Sequence, residues 1–154
     1  MDLIHYLVFI PNEVLFIVHH IATLFVLITC RYLVNHGAFP MLVLLILAEI
    51  TSACQNVWTI AGFRRSDVPA AAKLYESLSP FFYVLYSIAR GILAPMFVYK
   101  LVVFYLSGGG DGVIPMWAWV SWIIVISSGI LVSLVWILNL WIALFRERSK
   151  QKLV

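Results

Sequence analysis

Residues 13–61 read EVLFIVHHIATLFVLITCRYLVNHGAFPMLVLLILAEITSACQNVWTIA. Two apolar runs, 13–33 and 39–61, flank the helix-breaking Asn35, His36, Gly37 and Pro40, with Asn12 placed to cap the first. Each run has the roughly 20 residues that a helix needs to cross a hydrocarbon core about 30 Å thick. Yet they contain His19, His20, Glu49, Ser52, Gln55 and Asn56. Ionisable and amide groups are costly in hydrocarbon, so each implies a partner, a cavity or a chemistry.

The whole chain fits this reading. Its 154 residues are 64% hydrophobic and 11% charged, with a mean hydropathy of +1.03, whereas an ordinary soluble domain is about one quarter charged. The fold class is therefore an all-α polytopic membrane helix bundle. The net charge of +3 does not indicate nucleic-acid binding, because the basic residues stand mostly at segment ends rather than in an aromatic-studded patch. Cys30 and Cys54 fall near opposite ends of neighbouring spans and read as small buried hydrophobes rather than a disulfide. No zinc spacing is present, and the run Gly108–Gly110 lacks the lysine and preceding strand of a phosphate loop. It reads as a turn, and no metal or cofactor is implied.

Two further apolar runs complete about four full spans. Run 78–106 contains Arg90, Gly91 and Pro95, and predicts one tilted helix kinked near Pro95, or two shorter pieces. Run 113–145 opens with Trp117, Trp119 and Trp122, which suit a membrane interface. Residues 1–10 are too short for a span and, with Asp2 in place of a basic leader, do not form a signal peptide. They read as a partial N-terminal segment of one domain, 1–145, followed by a basic tail, 146–154.

Four spans place segment 62–77 and the C-terminal tail on one side, carrying Arg64, Arg65, Lys73, Arg146, Arg148, Lys150 and Lys152. The positive-inside bias makes that side, and so the C-terminus, cytosolic. Helical periodicity aligns Glu49, Ser52, Asn56 and Thr59 on the second span, and Tyr83, Tyr86, Ser87 and Arg90 on the third. Depth, at about 1.5 Å per residue, sorts the polar groups into two layers of one cavity. His20, Gln55, Asn56 and Asn139 form the shallower layer, and Glu49, Arg90 and Ser133 the deeper.

An unpaired arginine near mid-bilayer costs at least about 2.5–3.5 kcal/mol on insertion scales. Two arrangements relieve it: a buried Glu49–Arg90 ion pair, or Arg90 snorkelling along its stem beside a neutral Glu49. The histidines also have two readings. They are neutral packing groups bonded to a carbonyl or to Asn56, or one imidazole is the nucleophile or base of an acyl transfer. Without an acid at matching spacing, the residues alone favour packing.

The block His19, His20, Tyr32, Asn35, Gly37 and Glu49 resembles the core of the TLC-domain family. These are endoplasmic-reticulum membrane proteins that include ceramide synthases, translocation-associated proteins and lipid-homeostasis proteins. The resemblance runs through the fourth span. Where ceramide synthases carry His-Asp-x-x-Asp, this chain has Ala48, Glu49, Ile50, Thr51 and Ser52, keeping one acidic position as glutamate. That departure, with Asn56 and Trp58 downstream, is similar to the non-synthase branch and to plant members. The resemblance implies further spans ahead of the His-His segment, so that the chain begins within the domain.

The expected function is lipid handling or sensing in an intramembrane cavity, serving membrane lipid homeostasis. Glu49, Ser52, Asn56, Tyr86, Arg90 and Asn139 would line that cavity, and the ligand would be a membrane lipid or acyl-CoA. One alternative is an acyltransferase using His19 or His20 as catalytic groups; another is a cargo receptor or assembly partner facing a second membrane protein. Lys150 and Lys152, close to the C-terminal end, resemble a dilysine retrieval signal read by a cytosolic coat, which implies the endoplasmic reticulum; the other reading is an ordinary basic flank after a last span.

Overall fold

The computed structural model describes residues 14–151, all of whose regular elements are helical. Helix α1 is Val14–Ile28, α2 Ala38–Arg64, α3 Pro69–Ile88, α4 Ala94–Leu106 and α5 Met116–Gln151, with π-helical turns at Thr29–Leu33 and Ala89–Leu93. Three stretches are long and apolar enough to cross a membrane: Ala38–Arg64, Pro69–Leu106 and Met116–Arg146. The shorter Ile17–Leu33 is also apolar. Outward positions along α5, such as Ile124, Leu131 and Leu138, are more than 60% exposed, as a lipid-facing surface requires. The described residues divide into two compact units, one drawn from 14–43 and 98–129, the other from 44–97 and 130–151.

In the first unit, Trp122 is fully buried and packs with Val26, Cys30, Met41, Leu101, Tyr105 and Ala118. Its indole Nε1–H donates to Thr29 Oγ1 at 2.7 Å. The Thr29 hydroxyl donates back along its own helix to the Phe25 carbonyl at 2.7 Å, which leaves its lone pairs for the indole. Such back-bonding loosens a helix, and the π turn starts at this residue, closed by the Val34 N–H on the Thr29 carbonyl at 2.9 Å. Trp122 is thus a core residue, whereas Trp117 is 52% exposed and remains suited to an interface.

The α1–α2 corner is made by Asn35 at φ 59° and Gly37 at φ 82°. Asparagine tolerates the left-handed region, and glycine enters it without strain. Gly37 has a second constraint, because a Cβ there would stand 2.8 Å from Trp122 Cζ3. Gly37→Ala therefore combines backbone strain with a clash against an immobile ring. It is expected to lower unfolding stability by about 1–3 kcal/mol, measured as a fall in the thermal midpoint of the detergent-solubilised protein. Residues 107–114 form the glycine-rich turn between α4 and α5.

In the second unit, α3 starts at Pro69 rather than near residue 78. The charged segment resembles a loop by composition, but Pro69 occupies the first helical turn and Ala70, Ala71 and Ala72 are strong helix formers. Val68 is extended, as the residue before a proline prefers. The connection from α2 shrinks to residues 65–68. Near Pro95 the helix stays continuous but widens into the π turn Ala89–Leu93, where the Ala94 N–H reaches the Ala89 carbonyl. Proline cannot donate to the carbonyl four residues back, and the irregular turn lies directly ahead of it. At the other end of the unit, α5 continues through the basic segment as far as Gln151.

Candidate functional site

The π turn before Pro95 carries Arg90 into a cradle of oxygen atoms. Its Nε donates to Thr51 Oγ1 at 2.9 Å, and Nη1 to Ser133 Oγ at 3.3 Å. Nη2 donates to the Ala48 carbonyl at 3.1 Å and to Ser52 Oγ at 3.2 Å. The guanidinium carbon also lies 5.6 Å from the centroid of the Tyr86 ring, within cation–π range.

The proton directions explain why these hydroxyls accept. Thr51 Oγ1 and Ser52 Oγ both donate to the Ala48 carbonyl of their own helix, at 2.7 and 2.9 Å. Their lone pairs then face the arginine. Alanine at position 48 leaves that carbonyl approachable by a third donor, Nη2.

All four acceptors are neutral. A guanidinium has five N–H groups, so one Nη1–H has no acceptor among the described residues. The expected Glu49–Arg90 ion pair does not form: Glu49 is exposed, and no ion pair joins the two. At about 100° per residue, the Arg90 cradle occupies the α2 face of residues 48, 51 and 52, and position 49 points to one side of it.

Ser52, Tyr86 and Arg90 of the expected lining are thus brought together, with Ser133 at the same level. Asn56 and Asn139 are exposed, as is Glu49, and none of the three joins the cluster. Thr51, fully buried, lies off the periodic stripe that runs through Glu49. The available signal was the spacing of Ala48, Thr51 and Ser52, which puts two hydroxyls over one small residue.

Beside the cradle lies an aromatic wall. Phe82, Tyr83 and Tyr86 are buried, with Trp58, Trp136 and Trp141 packed against them. Trp58 Nε1 donates to Ser79 Oγ at 2.9 Å and Trp141 Nε1 to Ser87 Oγ at 3.0 Å. The polar edges of Trp58 and Trp141 are therefore satisfied within the unit, and Trp58 stacks on both Tyr75 and Phe82, at 5.2 and 4.9 Å.

His19 and His20 belong to the first unit. His19 is exposed and His20 half-buried, their rings edge-to-face at 5.7 Å. Thr23 Oγ1 donates to the His19 carbonyl at 2.9 Å. Lys152 and residues 1–10 lie outside the described residues, while Lys150 falls in the last turn of α5.

Chemically, a guanidinium is a planar fork of N–H donors with no acceptor of its own. What the cradle supplies is a fixed cation with a directed N–H and no carboxylate partner, set against an aromatic wall. Such a group holds a phosphate or carboxylate, or polarises a carbonyl.

Comparison with known proteins adds the family. A family model described as the TLC domain matches residues 1–142. A TLC domain-containing protein of Arabidopsis thaliana is 60% identical over 99% of this chain, and the chain spans 61% of that relative's length. No solved structure matches. A family match through nearly the whole chain, on an all-helical set of apolar spans, makes the protein a member of the TLC-domain family.

Proposed function

We propose that this protein is a multi-pass membrane protein of the endoplasmic reticulum that holds a lipid at the Arg90 cradle and contributes to membrane lipid homeostasis. The observation that carries the reading is a guanidinium inside an apolar helix whose hydrogen-bond acceptors are all neutral oxygens. Removing a cation from water is costly, and neutral acceptors recover only part of that cost. An anionic or strongly polar headgroup supplies the rest. The basic residues Arg64, Arg65, Lys73 and Arg146 support a cytosolic side for segment 62–77 and for the end of α5.

The test is lipid identification by mass spectrometry on the full chain purified in mild detergent. The expected result is enrichment of a particular lipid class over the surrounding membrane. Arg90→Gln is expected to lower that enrichment about tenfold or more, the worth of a hydrogen bond to a charged group. Bulk membrane composition on both proteins would overturn the reading. Labelled acyl-CoA supplies a second arm. Acyl transfer abolished by His19→Ala or by His20→Ala would establish the acyltransferase alternative instead.

A further inference from the structure

The second unit carries another lipid-like site, which shares no residue with the Arg90 cradle and does not depend on the function proposed for it. An apolar groove follows the end of α2 and the start of α3, lined by Val57, Ile60, Ala61, Val68, Ala71 and Leu74 together with Arg64. Arg64 is the sole charged residue of the lining.

The two adjacent arginines are deployed differently. Arg65 lies over the Tyr75 ring at 4.9 Å, and Tyr75 in turn stacks on Trp58 at 5.2 Å. Gly62 allows this arrangement, since a Cβ there would meet Tyr75 Cε2 at 3.0 Å. Arg65 is thereby committed to the aromatic wall. Arg64 is exposed, and while its carbonyl accepts from the Asp67 and Val68 N–H groups, its side chain makes no hydrogen bond or ion pair among the described residues. Asp67, the nearest acid in sequence, accepts from Ser66 Oγ at 2.8 Å instead.

We infer that this groove binds an anionic glycerophospholipid of the bilayer, its acyl chain in the apolar slot and its phosphate on Arg64. Charge complementarity selects this occupant. The slot alone would take any acyl chain, but an uncommitted guanidinium at the end of a membrane-spanning helix, where headgroups lie, favours a net-negative headgroup over a zwitterionic one. If the turn faces the cytosol, as the charge distribution predicts, it meets the leaflet in which anionic lipids are concentrated.

The experiment titrates the purified full chain with phosphatidylglycerol and phosphatidylcholine of identical acyl chains, reading bound lipid by native mass spectrometry. The wild type is expected to prefer phosphatidylglycerol. Arg64→Gln should reduce that preference about fivefold, the worth of one basic side chain at an anionic surface. Ala71→Phe, which fills the slot, should reduce occupancy by both lipids. Lys73→Gln, which removes an exposed charge outside the lining, should change neither. A preference that survives Arg64→Gln, falls equally with Lys73→Gln, or persists with full occupancy in Ala71→Phe would overturn the assignment. Loss confined to Arg90→Gln would overturn this site while leaving the Arg90 reading intact.

Discussion

Replacing Trp122 by alanine is expected to lower the stability of the first unit by about 3–5 kcal/mol, the range for deleting a large aromatic from a packed core. Three observations set this at the high end among single substitutions here. The side chain is fully buried among six core residues, its Nε1–H is spent on Thr29 at 2.7 Å, and its ring fills the space that Gly37 leaves open. Trp122→Phe separates packing from bonding. It keeps most of the ring and loses the hydrogen bond, so the cost should fall to about 1 kcal/mol. Thermal unfolding in detergent, followed at a wavelength dominated by the remaining tryptophans, checks both. An alanine variant that unfolds with the wild-type midpoint would mean that Trp122 is not the centre of this core.

The second large effect is at Arg90. In the folded unit its four hydrogen bonds tie the π turn between α3 and α4 to α2 and to α5. When the helices separate within the membrane, the guanidinium loses those acceptors. Hydrogen bonds between membrane helices average about 0.6 kcal/mol and reach about 1.7, and charge strengthens them. Arg90→Met is therefore expected to destabilise by about 2–4 kcal/mol. Arg90→Lys keeps the charge but not the planar fork, so it should recover only part of the loss.

Glu49→Gln supplies the contrast. If Arg90 were held by an ion pair, neutralising Glu49 would strand a buried cation and cost as much as breaking such a pair elsewhere, about 3–5 kcal/mol. With Glu49 exposed and Arg90 held by Thr51, Ser52, Ser133 and the Ala48 carbonyl, the change should stay within about 0.5 kcal/mol. Chemical or thermal unfolding of the three variants side by side decides between the two arrangements.

The apolar helices and the corner at Asn35–Gly37 could be read from the residues, because hydrocarbon thickness and backbone sterics act locally on sequence. Depth counting also put Arg90 and Ser133 at one level, since helical rise is constant. The partner of Arg90 was a different matter. Opposite charge singled out Glu49, yet a guanidinium also donates to hydroxyl and carbonyl oxygens, and a backbone carbonyl has no signature in sequence. The choice among faces of α2 was made by packing, which turned positions 48, 51 and 52 toward α3. The start of α3 was hidden for a similar reason. Charged residues from Arg64 to Glu76 suggest a loop by composition, but helix propensity after Pro69 overrides it.

That the Arg90 cradle is a lipid anchor can be tested most directly by photo-crosslinking. The full chain would be reconstituted in liposomes containing a trace lipid with a photoreactive group beside its anionic headgroup, and the labelled peptides mapped by mass spectrometry. Labelling should appear on peptides containing Thr51 and Ser52, Tyr86 and Arg90, or Ser133, and should disappear from them in Arg90→Gln. Labelling of those peptides that is unchanged by Arg90→Gln, or labelling confined to residues 62–77, would contradict the account.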